Sequence, residues 1–368
     1  MVYRSESEKC VLVRTGRWQS GADAHEWESL SVLSVTDAGL TYDAWQDAMR
    51  CALHKVIESE GTPVMIRFFL SDPANQTDVL RGSLDFECPV SVIGQASLDG
   101  TGIAAMVWCR STASVSRLSE RMYRVTGRGV DEYWFTCGLS GHGNPYDQTV
   151  ALFDEFSAGL ESQGLTLEGD CIRTWLFVRD IDSNYRSVVD ARNDVFDRHG
   201  LTPDTHFIAS TGIEGMTADP ACKVMLDAVA VSGSGVKVSY LYGATHLNRT
   251  SEYGVRFERG TVVEYADRRH VFISGTASID NKGEILHVGD AGRQTERMIE
   301  NVKVLLSEAG CGFGQVGAMI VYLRNASDYP VVKKIFDKRF PDIPKVIVLA
   351  PVCRPGWLVE MECISIES

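Results

Sequence analysis

No two of the ten cysteines form a CxxC pair, and several sit inside apolar runs. They read as free thiols of a reducing compartment, not as a disulfide framework. No His/Cys/Asp cluster has metal-ligand spacing, so no metal is expected. No apolar run approaches the roughly 18 residues of a membrane span. Met1 to Glu6 carries no targeting core, which makes the cytoplasm the expected compartment. Basic excess is also missing: the formal charge is −13 over 368 residues. That argues against nucleic acid and anionic membranes as partners, and an anionic ligand would need a locally basic pocket. The glycine-rich stretch Gly310 to Gly314 follows a helix instead of opening one, so it is no phosphate cradle.

What is present is concentrated near the C-terminus. Cys353, Arg354, Glu360 and Glu362 fall within ten residues, on a turn entering an apolar strand. Glu360 and Glu362 are two apart, so both face one side of an extended segment. Carboxylates among Trp357, Leu358, Val359, Met361 and Ile364 need a partner or a task. A proton donor in an apolar pocket is the functional reading; a cross-strand ion pair or a solvated strand edge is the alternative.

The order of elements recurs. In the last third, strands at 271–275 and 316–323 bracket a helix over 290–308, and a second helix at 329–340 is followed by strands at 345–349 and 358–366. The middle third repeats this, and the spacings Gln148 to Arg173 and Gln294 to Met319 agree. The first third is a weaker copy. Residues 117–130 and 232–250 have few apolar runs and read as linkers. The expected fold is α/β (α+β): three tandem β-α-β-α-β-β units in an intrachain pseudo-trimer, over residues 1–125, 126–235 and 236–368. The pseudo-trimer already buries its association surfaces, so a monomer or a small homo-oligomer is expected.

The residues Ile273-Ser274-Gly275, Gly289-Asp290, Gln294-Thr295, Asn301, Ala309-Gly310, Asp328 and Val359 to Glu362 resemble the YjgF/RidA superfamily, a chorismate mutase-like fold that assembles as trimers. A longer series resembles the chorismatases, which remove the enolpyruvyl group of chorismate. It runs Arg173-Thr174-Trp175, Asp180-Ile181, Tyr185, Arg192, Ser210 to Ile213, Tyr253 to Arg256, Ser274 to Ser278, Cys353-Arg354 and Leu358 to Glu360. The sequence departs from the pattern at Val255, where proline is expected, and at Lys333 and Lys345, where arginine is common. Lys345 also fills the slot of the arginine that anchors substrate in the superfamily's imine deaminases.

The resemblance implies an enzyme that protonates the terminal methylene of an enol ether on a small dianion, with no metal and no organic cofactor. Glu360 is the implied acid, since burial raises a carboxyl's pKa. Cys353 is implied to line a dry pocket and favour 3-hydroxybenzoate over a dihydroxycyclohexadienoate; it is otherwise a core thiol. Glu362 either shares the proton or holds a basic partner. Arg173, Arg256 and Arg354 are candidates to bind the substrate carboxylates, with Tyr253, Thr211, Ser274 and Thr276 as further donors. One active cleft is expected, between the middle and last units, because the first copy lacks the Gln-Thr and Glu features. An imine or enamine deaminase, and a non-catalytic protein that binds a small carboxylate, are the alternatives.

Overall fold

The computed structural model describes residues 1–20, 26–37, 39–99, 102–139 and 141–368, with the side chains of Leu139 and Tyr253 outside the described set. The first third runs β1 (Val2–Glu8), β2 (Val11–Gln19), β3 (Trp27–Val35), α1 (Tyr42–Glu60), β4 (Thr62–Leu70), α2 (Pro73–Ser83), β5 (Val90–Gly94), β6 (Ala96–Ser97) and β7 (Ile103–Arg110). The middle third runs β8 (Ser114–Arg117), β9 (Met122–Gly127), β10 (Val130–Leu139), α3 (Pro145–Glu161), α4 (Leu167–Asp170), β11 (Cys171–Val178), α5 (Ile181–Arg198), β12 (Ala209–Glu214) and β13 (Val224–Gly233). The last third runs β14 (Lys237–Leu241), β15 (Gly260–Glu264), β16 (Arg269–Ala277), α6 (Ala291–Glu308), β17 (Val316–Leu323), α7 (Tyr329–Arg339), β18 (Lys345–Leu349) and β19 (Val359–Glu367).

These strands form three sheets, ordered β1-β2-β3-β7-β4-β5, β12-β11-β13-β10-β9-β8 and β14-β15-β16-β19-β17-β18-β6. The three similar units pack about a pseudo-threefold axis. Each contains a parallel pair (β4/β5, β11/β12, β17/β18) beside a long antiparallel strand. β6 leaves the first unit and pairs with β18 of the last, which interlocks the two.

The expected helices form where capping and periodicity agree. Asp290 accepts from the Arg293 N–H at 2.9 Å to start α6, and Met298, Val302 and Leu305 are buried on one face. Gly310, with φ of 78°, follows its end. The segments read as linkers hold β9 and β14 instead, and β8 ends where the first of them begins. β8 and β14 are polar edge strands, exposed on alternate residues, so they give no apolar run to read. The β1/β2 hairpin adds a further polar edge to the first sheet. The repeat register also differs by one residue. Bulges pair Arg173 with Val229 and Ala318 with Ile364, so Arg173 corresponds to Ala318 and not to Met319.

Charged groups fill two places where the sheets meet. In one, Glu28 is ringed by Arg110 (3.3 Å), Arg268 and His270 (3.0 Å), and Arg110 also holds Glu132 at 2.6 Å. Trp108 and Trp134 donate their indole N–H groups to these two carboxylates. Burial alone would raise the pKa of Glu28, but Arg110, His270 and Arg268 overcome it and hold it well below the usual range. The second lies behind the candidate site.

Candidate active site

Glu360 and Glu362 leave β19 on the same face. Glu360 sits opposite Ala277 of β16 and Tyr322 of β17, in the middle of the third sheet. A β-bulge between Ile273 and Thr276 bends β16 at this level. At the bulge, Gly275 lets the carboxyl lie against bare backbone. A Cβ there would stand 2.2 Å from Glu360 Oε1. The glycine is required by space, since its φ is not in the left-handed region.

Glu360 lines a narrow cleft between the middle and last units. From the middle unit come Tyr185 and Arg192, seven residues apart on one face of α5, and Ser210, Thr211 and Gly212 of β12. The last unit contributes Phe257 and Arg259 before β15, Ala277 and Ile279 at the end of β16, and Cys353, Arg354 and Trp357 before β19. Backbone bonds lace the two units together at either end: Glu258 N to Ile208 O at 3.0 Å and Glu214 N to Pro351 O at 3.1 Å. Ser274 adds a staple, donating to Glu258 O at 2.6 Å and accepting from Ser210 N at 3.0 Å.

The loop carrying Cys353 to Trp357 is held by Gln294 on α6. Gln294 accepts from Leu358 N at 2.9 Å and donates to Gly356 O at 3.0 Å. Gln148 does the same in the middle unit, accepting from Lys223 N and donating to Ala221 O. The glutamine of the Gln-Thr pair visible in the sequence therefore pins the segment leading into the long strand, while the threonine bonds back to its own helix.

Burial is the main cause that pushes the Glu360 carboxyl up to about 8, with the Glu362 charge adding to it and Arg259 and Arg173 opposing it. At neutral pH the group is a neutral acid, able to donate. Cys353 hydrogen-bonds Tyr185, and burial with the nearby Glu360 pushes its thiol up to about 12. It is a neutral wall group. Tyr185 packs against Gly212, where a Cβ would meet the ring at 2.8 Å.

The structure sorts the candidate residues. Glu360, Cys353, Thr211 and Arg354 line the cleft. Arg173 does not: it is buried behind the wall, with Nη2 at 2.6 Å from Glu362, so it neutralises a protein carboxylate and is not placed to bind a substrate's. Arg256 lies outside the cleft, paired to Asp197 and to Asn193 O. Its neighbours Val255 and Phe257 face the cleft instead. Ser274 and Thr276 are buried with their hydroxyls bound to backbone carbonyls, which gives them structural work. Tyr253 ends a short 3-10 turn, and its side chain lies outside the described residues.

The cations that do line the cleft are Arg192, Arg259 and Arg354. Arg192 was visible only through the resemblance. Arg259 carried no signal, because a basic residue before a strand is ordinary. Its function follows from β15 folding back beside β12. Arg354 lies over the Trp357 ring at 4.9 Å.

A family model described as Endoribonuclease L-PSP matches residues 260–367. A RutC family protein of Pyrococcus abyssi is 35% identical over 98 residues, 26% of this chain and 76% of that one. A 3-hydroxybenzoate synthase of Streptomyces hygroscopicus is 28% identical over 256 residues, 63% of this chain and 73% of the relative. The crystal structure of a chorismatase superposes with a TM-score of 0.66 at 21% identity, covering 83% of this chain and 93% of that one. The chain belongs to the YjgF/RidA (endoribonuclease L-PSP) superfamily, and over most of its length it is similar to the chorismatases.

The superposition onto the chorismatase speaks to architecture: it spans most of the chain, so all three units share the family fold. Within that fold the position of Glu360 differs between units. Tyr322 pairs with Glu360, whereas the corresponding strand partners are Phe177 with Met225 and Phe69 with Ala104. Neither of the other units offers an acid there.

Proposed function

We propose that this chain is an enzyme that converts chorismate, or a close enolpyruvyl relative, by protonating its enol ether from Glu360. The observation that carries the reading is a buried carboxyl, protonated at neutral pH, in a cleft that three arginines line. Arg192, Arg259 and Arg354 supply charge for the two substrate carboxylates. Glu360 passes its proton to the terminal methylene carbon, and the ether becomes an oxocarbenium whose C–O bond to the ring can break. The site between the middle and last units is the one active cleft.

Two product pairs balance. If water is added, the products are pyruvate and a dihydroxycyclohexadienoate. If the ring's own hydroxyl displaces the enolpyruvyl oxygen, no water is consumed, and the products are pyruvate and 3-hydroxybenzoate. The walls favour the second. Cys353, beside Glu360, is a neutral thiol and a weak hydrogen-bonding group, and Phe257, Ala277, Ile279 and Trp357 give the cleft apolar wall that offers a water nucleophile no partner. The 3-hydroxybenzoate synthase among the relatives supports the same choice.

Chromatography of a chorismate incubation tests this. Equal amounts of pyruvate and 3-hydroxybenzoate are expected, with no diene. A diene as main product would overturn the dry-pocket reading, and unchanged chorismate would overturn the function.

A further inference from the structure

Behind the cleft wall stands a carboxylate that the proposed reaction does not use. Glu362 is 5% exposed and reaches away from the cleft toward the pseudo-threefold axis. Trp175 donates to its Oε1 at 2.9 Å, and Arg173 and Thr211 contact its Oε2. Arg67, from the first sheet, approaches Oε1 at 3.8 Å.

We propose that Glu362 is a positioning residue for the acid: a fixed anion, locked by groups from the other two sheets, that keeps the neighbouring carboxyl of Glu360 from ionising. This rests on the reading of Glu360 as the proton donor. Among the described residues, the side chains that bond Glu362 are donors or cations, an environment for a carboxylate and not for a shared proton. Thr211 shows how firmly the arrangement is set. Its hydroxyl donates to Glu362 and accepts from Arg173 Nη2 and from Gly275 N at 2.9 Å, which uses all three of its hydrogen-bonding positions. Thr211 and Gly275 also form the wall against which Glu360 lies. The anion and the acid therefore share one rigid support.

The support reaches across the molecule. Arg67 is fully buried, lies over the Trp175 ring at 4.5 Å and binds Asp227 at 2.9 Å, while Asp227 also accepts from Ser91 and from Cys137 N. Arg173 lies over Trp175 as well, at 4.6 Å. Thus the first unit, none of whose described residues lines the cleft, helps to hold the anion beneath it. The other groups that bear on Glu360 are Arg259 from the last unit, Arg173, Tyr185 of α5, Tyr322 of β17 and Cys353. Arg192 and Arg354 line the same cleft. Of these neighbours, Glu362 is the negative charge and Arg173 is its counterweight. Removing Glu362 leaves the Arg173 cation uncompensated and favours ionisation of Glu360.

The test is Glu362→Gln, read in two ways. The alkaline limb of kcat/KM should move toward acid by about one pH unit or more, with KM little changed, because Glu362 touches no substrate. Glu362→Asp, which keeps the charge, should restore much of the shift. Independently of any turnover, infrared difference spectra at pH 6 follow the protonated carboxyl. Glu360→Gln should remove one protonated-carboxyl band, and Glu362→Gln should remove none. Should Glu362→Gln fail to fold, the Glu360→Gln spectrum still decides: loss of a single band, with no further buried carboxyl protonating beside it, supports the proposal. An alkaline limb unmoved by Glu362→Gln, or a protonated band that belongs to Glu362, overturns it. A parent enzyme inert toward chorismate would defeat the reaction but leave the infrared comparison standing.

Discussion

Glu360 carries two opposite burdens: it must be buried to be an acid at neutral pH, and that burial costs stability. Because its folded pKa is raised, the folded chain retains a proton that the unfolded chain releases between pH ~4.5 and 8, so folding is penalised increasingly across that window. Glu360→Gln removes the penalty. The variant is expected to be the more stable protein near pH 8, by about 1.4 kcal/mol for each pH unit the shift spans, with the gap closing as pH falls toward 4.5. Urea unfolding at several pH values measures it. In turnover, the parent's kcat/KM should fall above about pH 8, where the acid ionises. Arg259→Ala should lower kcat/KM by roughly 10- to 100-fold, mostly through KM, if that guanidinium binds a substrate carboxylate. Of these residues, Glu360 and Cys353 were legible in the sequence, because an acid and a thiol among apolar neighbours stand out. Arg259 was not, since it gains its role from a strand distant in the chain. Arg173 misled for a related reason. An arginine inside an apolar strand must have a partner, but sequence alone does not say whether that partner is a ligand or Glu362.

At the scale of the element, the cleft is shaped by the β16 bulge and by the loop before β19. Gln294 ties that loop to α6. Gln294→Ala would leave Leu358 N–H and Gly356 C=O without this partner. It should cost about 1–3 kcal/mol and, by letting Cys353 and Arg354 drift, lower kcat on the order of 10²-fold. Thermal unfolding and steady-state kinetics read the two effects separately. The helices and central strands were legible because caps, glycine stops and branched residues agree along α6 and β17. The edge strands β8 and β14 were not. Their residues alternate at a solvated surface and pair through backbone atoms that leave no mark on residue type.

The three units share one set of axial contacts. Glu28, Arg110, Glu132, Arg268 and His270 join strands from every third of the chain, and all are buried. Removing one partner leaves the others as uncompensated buried charges. Glu28→Gln is expected to cost about 3–5 kcal/mol. Its pH dependence runs opposite to that of Glu360. The pKa of Glu28 is depressed, so its contribution is present above the ordinary carboxylate range and is lost as pH falls. The gap between parent and variant should be full near neutrality and close in acid, which denaturant titrations across pH can follow. The repeat itself was legible from element order. The sequence pointed to a missing glutamate in the first copy alone; the strand pairing places Ala104 at the corresponding position there and Met225 in the middle unit. The claim on which the account depends is that this one buried carboxyl protonates an enol ether. Coupled pyruvate detection with chorismate, for the parent and for Glu360→Gln at pH 7, tests it most directly. The account predicts one pyruvate per chorismate consumed by the parent, and at least about 10³-fold slower release by the variant. No pyruvate from the parent, or equal rates from the two proteins, would contradict it.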